Sequence, residues 1–178
     1  MADGYARTNE EPGICLVISG PGLTNIITPM GQAMADSVPM VVISSQLPTS
    51  DLEQGTGFLH ELKNSTYLTE SVAKESKRVR HKDKIGSSIE EAYHLAMAGR
   101  PGPVHVEIPL DILQTPISEL ESTANNSISS DPWEDLNQDG KIESAVDLLQ
   151  EADRPIIIAG GVSSQSTEEL TRLVEGLK

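Results

Sequence analysis

The chain has 178 residues, 37% of them hydrophobic, with a formal net charge of −14. That length suffices for one domain and part of a second. The acidic balance argues against a general nucleic-acid binder, which needs clustered Lys and Arg. No apolar run approaches the ~20 residues of a membrane-spanning helix, and the N-terminus lacks the features of a signal peptide.

Residues 1–10 read as the end of a helix, with Ala2, Tyr5 and Ala6 on one side. After the turn at Pro12-Gly13, Ile14-Cys15-Leu16-Val17-Ile18 forms a continuous apolar run. Such a run suits a strand covered on both faces, as in a parallel sheet. Cys15 is the single cysteine, so no intrachain disulfide forms; its place in that run predicts a buried, inert thiol and a reducing, cytoplasmic setting. Ser19-Gly20-Pro21-Gly22 ends the strand. From Leu23 to Ala35 the apolar residues recur at helical spacing, with Pro29 predicting a kink or a late start. Met40-Val41-Val42-Ile43-Ser44 is a second buried strand.

A loop from Ser45 to about Asn64 follows, long enough to suggest function. Leu68 to Val72 predicts a short helix, Lys77 to Val79 a short strand, and Asp83 to Ala98 a clear helix terminated by Gly99. The basic stretch Lys74 to Lys84 reads as a solvated surface segment. Val104-His105-Val106-Glu107-Ile108 is another strand. This alternation predicts a doubly wound α/β domain with a parallel sheet, with its first strand missing or very short.

From Leu113 to about Gly140, Ser, Thr, Asn, Asp and Pro dominate, which reads as a linker, with Trp133 as an anchor. The pattern then restarts: a helix through Ile142, Val146 and Leu149, a strand Ile156–Ala159, and a helix from Ser166, where Ser166-Thr167-Glu168-Glu169 has the form of a capping box. One helix–strand–helix unit does not bury a strand on both sides, so the second domain is expected to be cut off after its opening unit. The expected domains are residues 1–112, a linker 113–139, and 140–178.

Ser19-Gly20-Pro21-Gly22 sits between a strand and a helix start. Glycines there let a ligand approach the backbone, and a helix N-terminus offers free N–H donors. A steric need for glycine in a tight turn explains the same pattern. The spacing is not that of the dinucleotide fingerprint.

The ordered set Met1-Ala2-Asp3-Gly4-Tyr5-Ala6-Arg7, Gly13-Ile14-Cys15, Ser19-Gly20-Pro21-Gly22-Leu23-Thr24-Asn25 and Ala35-Asp36-Ser37-Val38-Pro39-Met40 resembles the pyrimidine-binding domain of acetolactate synthase-like enzymes. Gly99-Arg100-Pro101-Gly102-Pro103-Val104 and Glu107-Ile108-Pro109-Leu110-Asp111 resemble the last helix–strand turn of that domain. Asp153-Arg154-Pro155 through Gly160-Gly161 resembles the opening of the family's central domain.

The resemblance implies thiamine diphosphate chemistry on a 2-oxo acid, by a decarboxylase or carboligase, in which the cofactor carries the hard step. It implies a glutamate that activates the cofactor, expected a few residues before Met1, and a Mg²⁺-diphosphate domain expected after the central domain. Both lie outside this chain, so the chain by itself is expected to be inactive. It also implies a homodimer or homotetramer, which predicts an exposed apolar face and self-association for the isolated chain.

Site roles follow the matching positions. Gly20, Pro21, Gly22 and Asn25 match the loop beside the aminopyrimidine, and Ser37 and Gln46 match polar positions near the cleft. In Gly55-Thr56-Gly57-Phe58-Leu59-His60-Glu61, His60 replaces the glutamine of acetolactate synthases. A His there can handle a substrate proton or carboxylate; a surface histidine without a role is the alternative. Arg100 matches an FAD-contacting arginine, which makes FAD a candidate cofactor, or it caps a helix C-terminus. Leu110 stands where the family has lysine. Leu59-His60-Glu61-Leu62 and Val104 through Asp111 look more like 5-guanidino-2-oxopentanoate decarboxylase and its relatives. Glu61 then pairs a cationic substrate tail or has a structural role. His81, His94 and His105 have no metal-ligand spacing, so no metal site is expected in this chain. The competing readings are an inactive remnant or interaction module without cofactor, and a simple nucleotide-binding domain, which the missing phosphate-loop pattern disfavours.

Overall fold

The computed structural model describes residues 1–9, 11–116, 140–161 and 166–177. The chain forms two compact units, Met1–Pro132 and Trp133–Lys178. Most of the expected linker, including Trp133, lies outside the described residues.

The first unit is built on strands β1 (Gly13–Val17), β2 (Met40–Gln46), β3 (Glu75–Arg78) and β4 (Pro103–Pro109). They form one sheet of order β1-β2-β4-β3, and every pairing is parallel. The helices are α1 (Ala2–Thr8), α2 (Pro21–Asp36), α3 (Ser65–Glu70), α4 (Ile85–Met97) and the short α5 (Leu110–Leu113). This is the expected α/β architecture.

Period-two alternation sorts the strand side chains between two faces. Val41, Val104, Val106 and Ile108 pack with Ala92 and Ala96 of α4. Met40 and Val42 pack on the other face with Met30 and Ala33 of α2 and Ala6 of α1. Here the central strands β2 and β4 are covered on both sides, as in a parallel sheet, but the ends of the Met40 and Val42 face are polar.

β1 departs from expectation. Cys15 and Val17 pack under α1 and α2, but Ile14, Leu16 and Ile18 are 54%, 80% and 56% exposed. They lie on the α4 face, and α4 packs chiefly on β4 and β2. The apolar run is therefore covered on one face among the described residues.

The sheet's first helix also differs. α2 starts at Pro21, where a proline's fixed φ suits the first helical position, and runs on through Pro29. The late start expected from Pro29 does not occur, because Leu23, Met30 and Ala33 bury the helix on both sides of it. Gly99 has φ +58 directly after α4, which is the expected left-handed termination.

In the second unit, α6 (Lys141–Glu151) and α7 (Thr167–Gly176) form as expected. The expected strand Ile156–Ala159 does not. A strand needs a hydrogen-bonding partner, and no described segment pairs with it; Ile156 and Ile158 are 89% and 92% exposed. Ser166 takes the N-cap position of α7 but makes no side-chain cap bond.

Candidate functional site

The C-terminal ends of the parallel strands converge on Ser19-Gly20, Gln46-Leu47 and Leu110-Asp111. Ligands of open α/β sheets bind outside these ends. Gly20 has φ +62 and is buried, and a Cβ placed on it would stand 2.7 Å from His60 Cβ and 2.8 Å from His60 Cα. Only glycine fits both the backbone conformation and that contact. His60 itself has φ +68, a conformation uncommon outside glycine and typical of functional segments. The fold thus brings together two candidates 40 residues apart in sequence (60 − 20).

Pro21 lies exposed on the first turn of α2 and Asn25 at the start of the second, while Gly22 is half-buried against Ile18. Ser37 and Arg100 meet elsewhere. The Arg100 guanidinium donates to Ser37 Oγ at 2.9 Å and to the carbonyls of Met34 and Ala35 at 3.0 Å. It therefore caps α2, with the positive charge where the helix macrodipole favours it. These two residues sit at the C-terminal end of α2, and the glycine loop sits at its N-terminal end.

Gln46 is only 5% exposed. Its Nε2 donates to Ser65 Oγ at 2.7 Å and to Glu107 Oε2 at 2.9 Å, and its Oε1 accepts from Leu47 N–H at 2.8 Å. Glu107 is fully buried and also accepts from Ser65 Oγ and from Arg78 Nε. Arg78 reaches on to Glu53 in the long loop, at 3.0 Å. A buried carboxylate is stable when paired and hydrogen-bonded in this way.

His105 sits beside this cluster, fully buried. Its Nε2 lies 2.8 Å from Ser44 Oγ, and its Nδ1 lies 2.9 Å from Thr69 Oγ1 and 2.8 Å from Ser76 Oγ. Burial pushes its pKa down to about 4, so the ring is neutral at physiological pH.

Sequence reading singled out neither His105 nor Glu107 for this network. The signal was present in the strand periodicity: Ser44 and Gln46 on β2, and His105 and Glu107 on β4, are polar at period two on the face that carries Met40 and Val42. The basic segment is also corrected. Lys74 caps α4 through the carbonyls of Leu95 and Ala98, Lys77 pairs Glu91 at 2.6 Å, and Arg78 is held by Glu107. These three are partly buried and engaged in the fold.

Glu61 is claimed by its own loop. Its carboxylate accepts the N–H groups of Gly55, Gly57 and Phe58 at 2.6, 2.7 and 3.0 Å. Among the described residues no group of three or more His, Cys, Asp or Glu is placed to hold a metal ion. No described helix is long and apolar enough to cross a membrane.

A parallel α/β domain with a glycine turn at the strands' C-terminal ends belongs to the class that holds a small molecule or cofactor. Residues 1–67 match the family described as thiamine pyrophosphate enzyme, N-terminal TPP binding domain. The chain is 39% identical over 177 residues to a protein named probable 2-ketoarginine decarboxylase from Pseudomonas aeruginosa, covering 99% of this chain and 31% of that protein. It is 39% identical over 167 residues to the mitochondrial acetolactate synthase catalytic subunit of Saccharomyces cerevisiae, covering 90% and 24%. It is 33% identical over 181 residues to the probable acetolactate synthase large subunit of Methanocaldococcus jannaschii, covering 99% and 30%. Over nearly its whole length the chain is thus similar to thiamine-diphosphate-dependent, acetolactate synthase-like enzymes. It spans about a quarter to a third of the length of these curated relatives.

Proposed function

We propose that the chain supplies the pyrimidine side of the active site of a thiamine-diphosphate-dependent 2-oxo-acid decarboxylase or carboligase. The observation that carries this reading is the Gly20–His60 contact at the C-terminal ends of β1 and β2, within the segment that matches the cofactor-binding family.

The residues present fit an aromatic ring. Gly20 lets the His60 backbone close against the turn, the first turn of α2 offers helix N–H groups free of intrahelical partners, and Asn25 projects a polar side chain from the start of the second turn. Gly20, Pro21 and Gly22 would hold the ring edge by the backbone, with Asn25 beside them. When bound, thiamine diphosphate supplies the carbanion that attacks the 2-oxo carbonyl. His60 stands at the mouth of the site, where its imidazole can hold a substrate carboxylate or move a proton. Gln46 acts from behind by fixing the end of β2, while Ser37, at the far end of α2, is held by Arg100 and takes no part in the site. FAD at Arg100 competes with the capping role, so the reading favours an enzyme without a flavin contact there. Mg²⁺ and the diphosphate are assigned to segments of the parent protein beyond this chain.

The relatives' names support two chemistries, acetolactate synthesis and decarboxylation of 2-ketoarginine. His60 and Leu110 favour the decarboxylase side. The parent enzyme is read as a cytoplasmic homodimer or homotetramer, consistent with the exposed face of β1 and with one cysteine per chain. The test is titration of thiamine diphosphate with Mg²⁺ into residues 1–178 and into the full-length parent. Saturable binding by the parent and none by the shorter chain is expected. Tight binding by the shorter chain alone would overturn the division of the site.

A further inference from the structure

The long loop between β2 and α3 is folded around one side chain. Three backbone N–H groups, from Gly55, Gly57 and Phe58, converge on the Glu61 carboxylate. Gly55 and Gly57 have φ +66 and +74, which turns successive amides toward one anion. Glu61 N–H donates to Phe58 carbonyl at 3.0 Å, so residues 58–61 close as a turn. His60 is the third residue of that turn, in a left-handed conformation, with its backbone against Gly20. The contacts run in one line, from carboxylate to turn to the His60 backbone to Gly20.

We propose that Glu61 is a positioning residue: its ionised carboxylate folds the loop and so fixes His60 against Gly20, and it is not the counter-charge for a cationic substrate tail. This rests on the reading that Gly20 and His60 line the cofactor site. Burial raises the Glu61 pKa, but the backbone donors at Phe58, Gly55, Gly57 and Thr56 outweigh it, so the carboxyl lies below the ordinary range and stays charged at neutral pH. Its coordination is directed inward, to three amides of its own loop. A fourth strong partner from a substrate would have to compete with them. Glu53 and Lys63 line the same hollow, and Glu53 is paired with Arg78 at 3.0 Å.

The experiment compares the isotope-labelled chain with its Glu61→Gln variant by nuclear magnetic resonance. In the wild type, a through-space contact between Gly20 Hα and His60 Hα is expected. The Gly55 and Gly57 amide signals should move together on acidification, with a midpoint below that of an ordinary glutamate. A Glu53→Gln control should leave that midpoint in place. Glu61→Gln should lose the Gly20–His60 contact and raise amide exchange at residues 55, 57 and 58 by roughly tenfold or more, with β2 and β4 unchanged. Retention of the contact and the protection in the Gln variant would overturn the proposal. Should that variant fail to fold, the wild-type titration decides, since amides that do not titrate with Glu61 also overturn it.

In the full-length parent, Glu61→Gln should lower kcat/KM by the same factor for a 2-oxo acid with a cationic tail and for a neutral one of equal length. A selective loss on the cationic substrate would show direct tail recognition and overturn the proposal. A parent without thiamine-diphosphate-dependent turnover would instead defeat the active-site reading, while the resonance data still decide the role of Glu61.

Discussion

Gly20 and His60 touch through their backbones: a β-carbon on Gly20 would meet His60 Cβ at 2.7 Å, and both residues have positive φ. Neither partner has room to give, because the opposing atoms include His60 Cα and carbonyl oxygen at 2.8 Å. Gly20→Ala therefore forces an alanine into a backbone conformation of φ +62 and ψ −116, which costs about 1–3 kcal/mol, and adds a clash on top of it. The predicted result is a drop in urea unfolding stability of at least that size, with displacement of the loop around His60. An alanine variant as stable as the wild type would contradict the contact.

The buried pair Glu107 and Arg78 gives a second prediction. Glu107→Ala leaves the Arg78 guanidinium, Gln46 Nε2 and Ser65 Oγ without their common acceptor. Breaking a buried pair from one side costs roughly 3–5 kcal/mol. Glu107→Gln retains an acceptor oxygen and should cost less. Denaturant unfolding of both variants, in the order wild type, Gln, Ala, checks this.

His105 sets a pH dependence. Its folded pKa is about 4 against an ordinary value of 6.5, so the unfolded chain binds more protons between these limits. Stability from this residue is fully present above pH 6.5 and is lost as pH falls toward 4. The whole contribution is on the order of 3 kcal/mol. Thermal unfolding of the wild type should weaken across that window, and a folded His105→Gln variant should weaken less. The carboxyls of Asp36 and Asp111, held low chiefly by hydrogen bonds from Arg7 and from Thr49, contribute below that window, above their own folded values and lost under them.

Much of the scaffold was legible because its signals are local. The apolar runs of β2 and β4, the helical spacing of α2 and α4, and Gly99 after α4 all report on neighbours within one turn or one strand. The run at Ile156–Ala159 carried the same signal and formed no strand, because pairing depends on a second segment that the pattern does not encode. The Glu107–His105 network was missed for a related reason. Its partners Ser65, Thr69 and Ser76 come from the short α3 and β3, whose apolar pattern is weak. Gly20 was legible as a glycine needing closeness to something; that the something is His60 depends on how a loop of about 20 residues returns to β1.

Arg100 tests a helix cap against a cofactor contact. It bonds Ser37 Oγ and two α2 carbonyls. Its guanidinium is exposed, so Arg100→Ala should cost only about 1 kcal/mol. Flavin fluorescence in the purified parent should not depend on it. Flavin retained by the wild type and lost in the variant would assign Arg100 to FAD instead.

Leu16 is 80% exposed on β1 beside Ile14 and Ile18. Leu16→Ser should leave stability within about 0.5 kcal/mol and reduce self-association of the 178-residue chain. Light scattering across a concentration series checks it; unchanged association would show that this face is not the adhesive one.

The most direct measurement is calorimetric titration of thiamine diphosphate, with Mg²⁺ present, into the full-length parent and its Gly20→Ala variant. Saturable binding by the parent, weakened at least roughly tenfold or abolished in a variant that remains folded, is the predicted result. Equal affinity in the two proteins would contradict the assignment of the Gly20–His60 junction to the cofactor site.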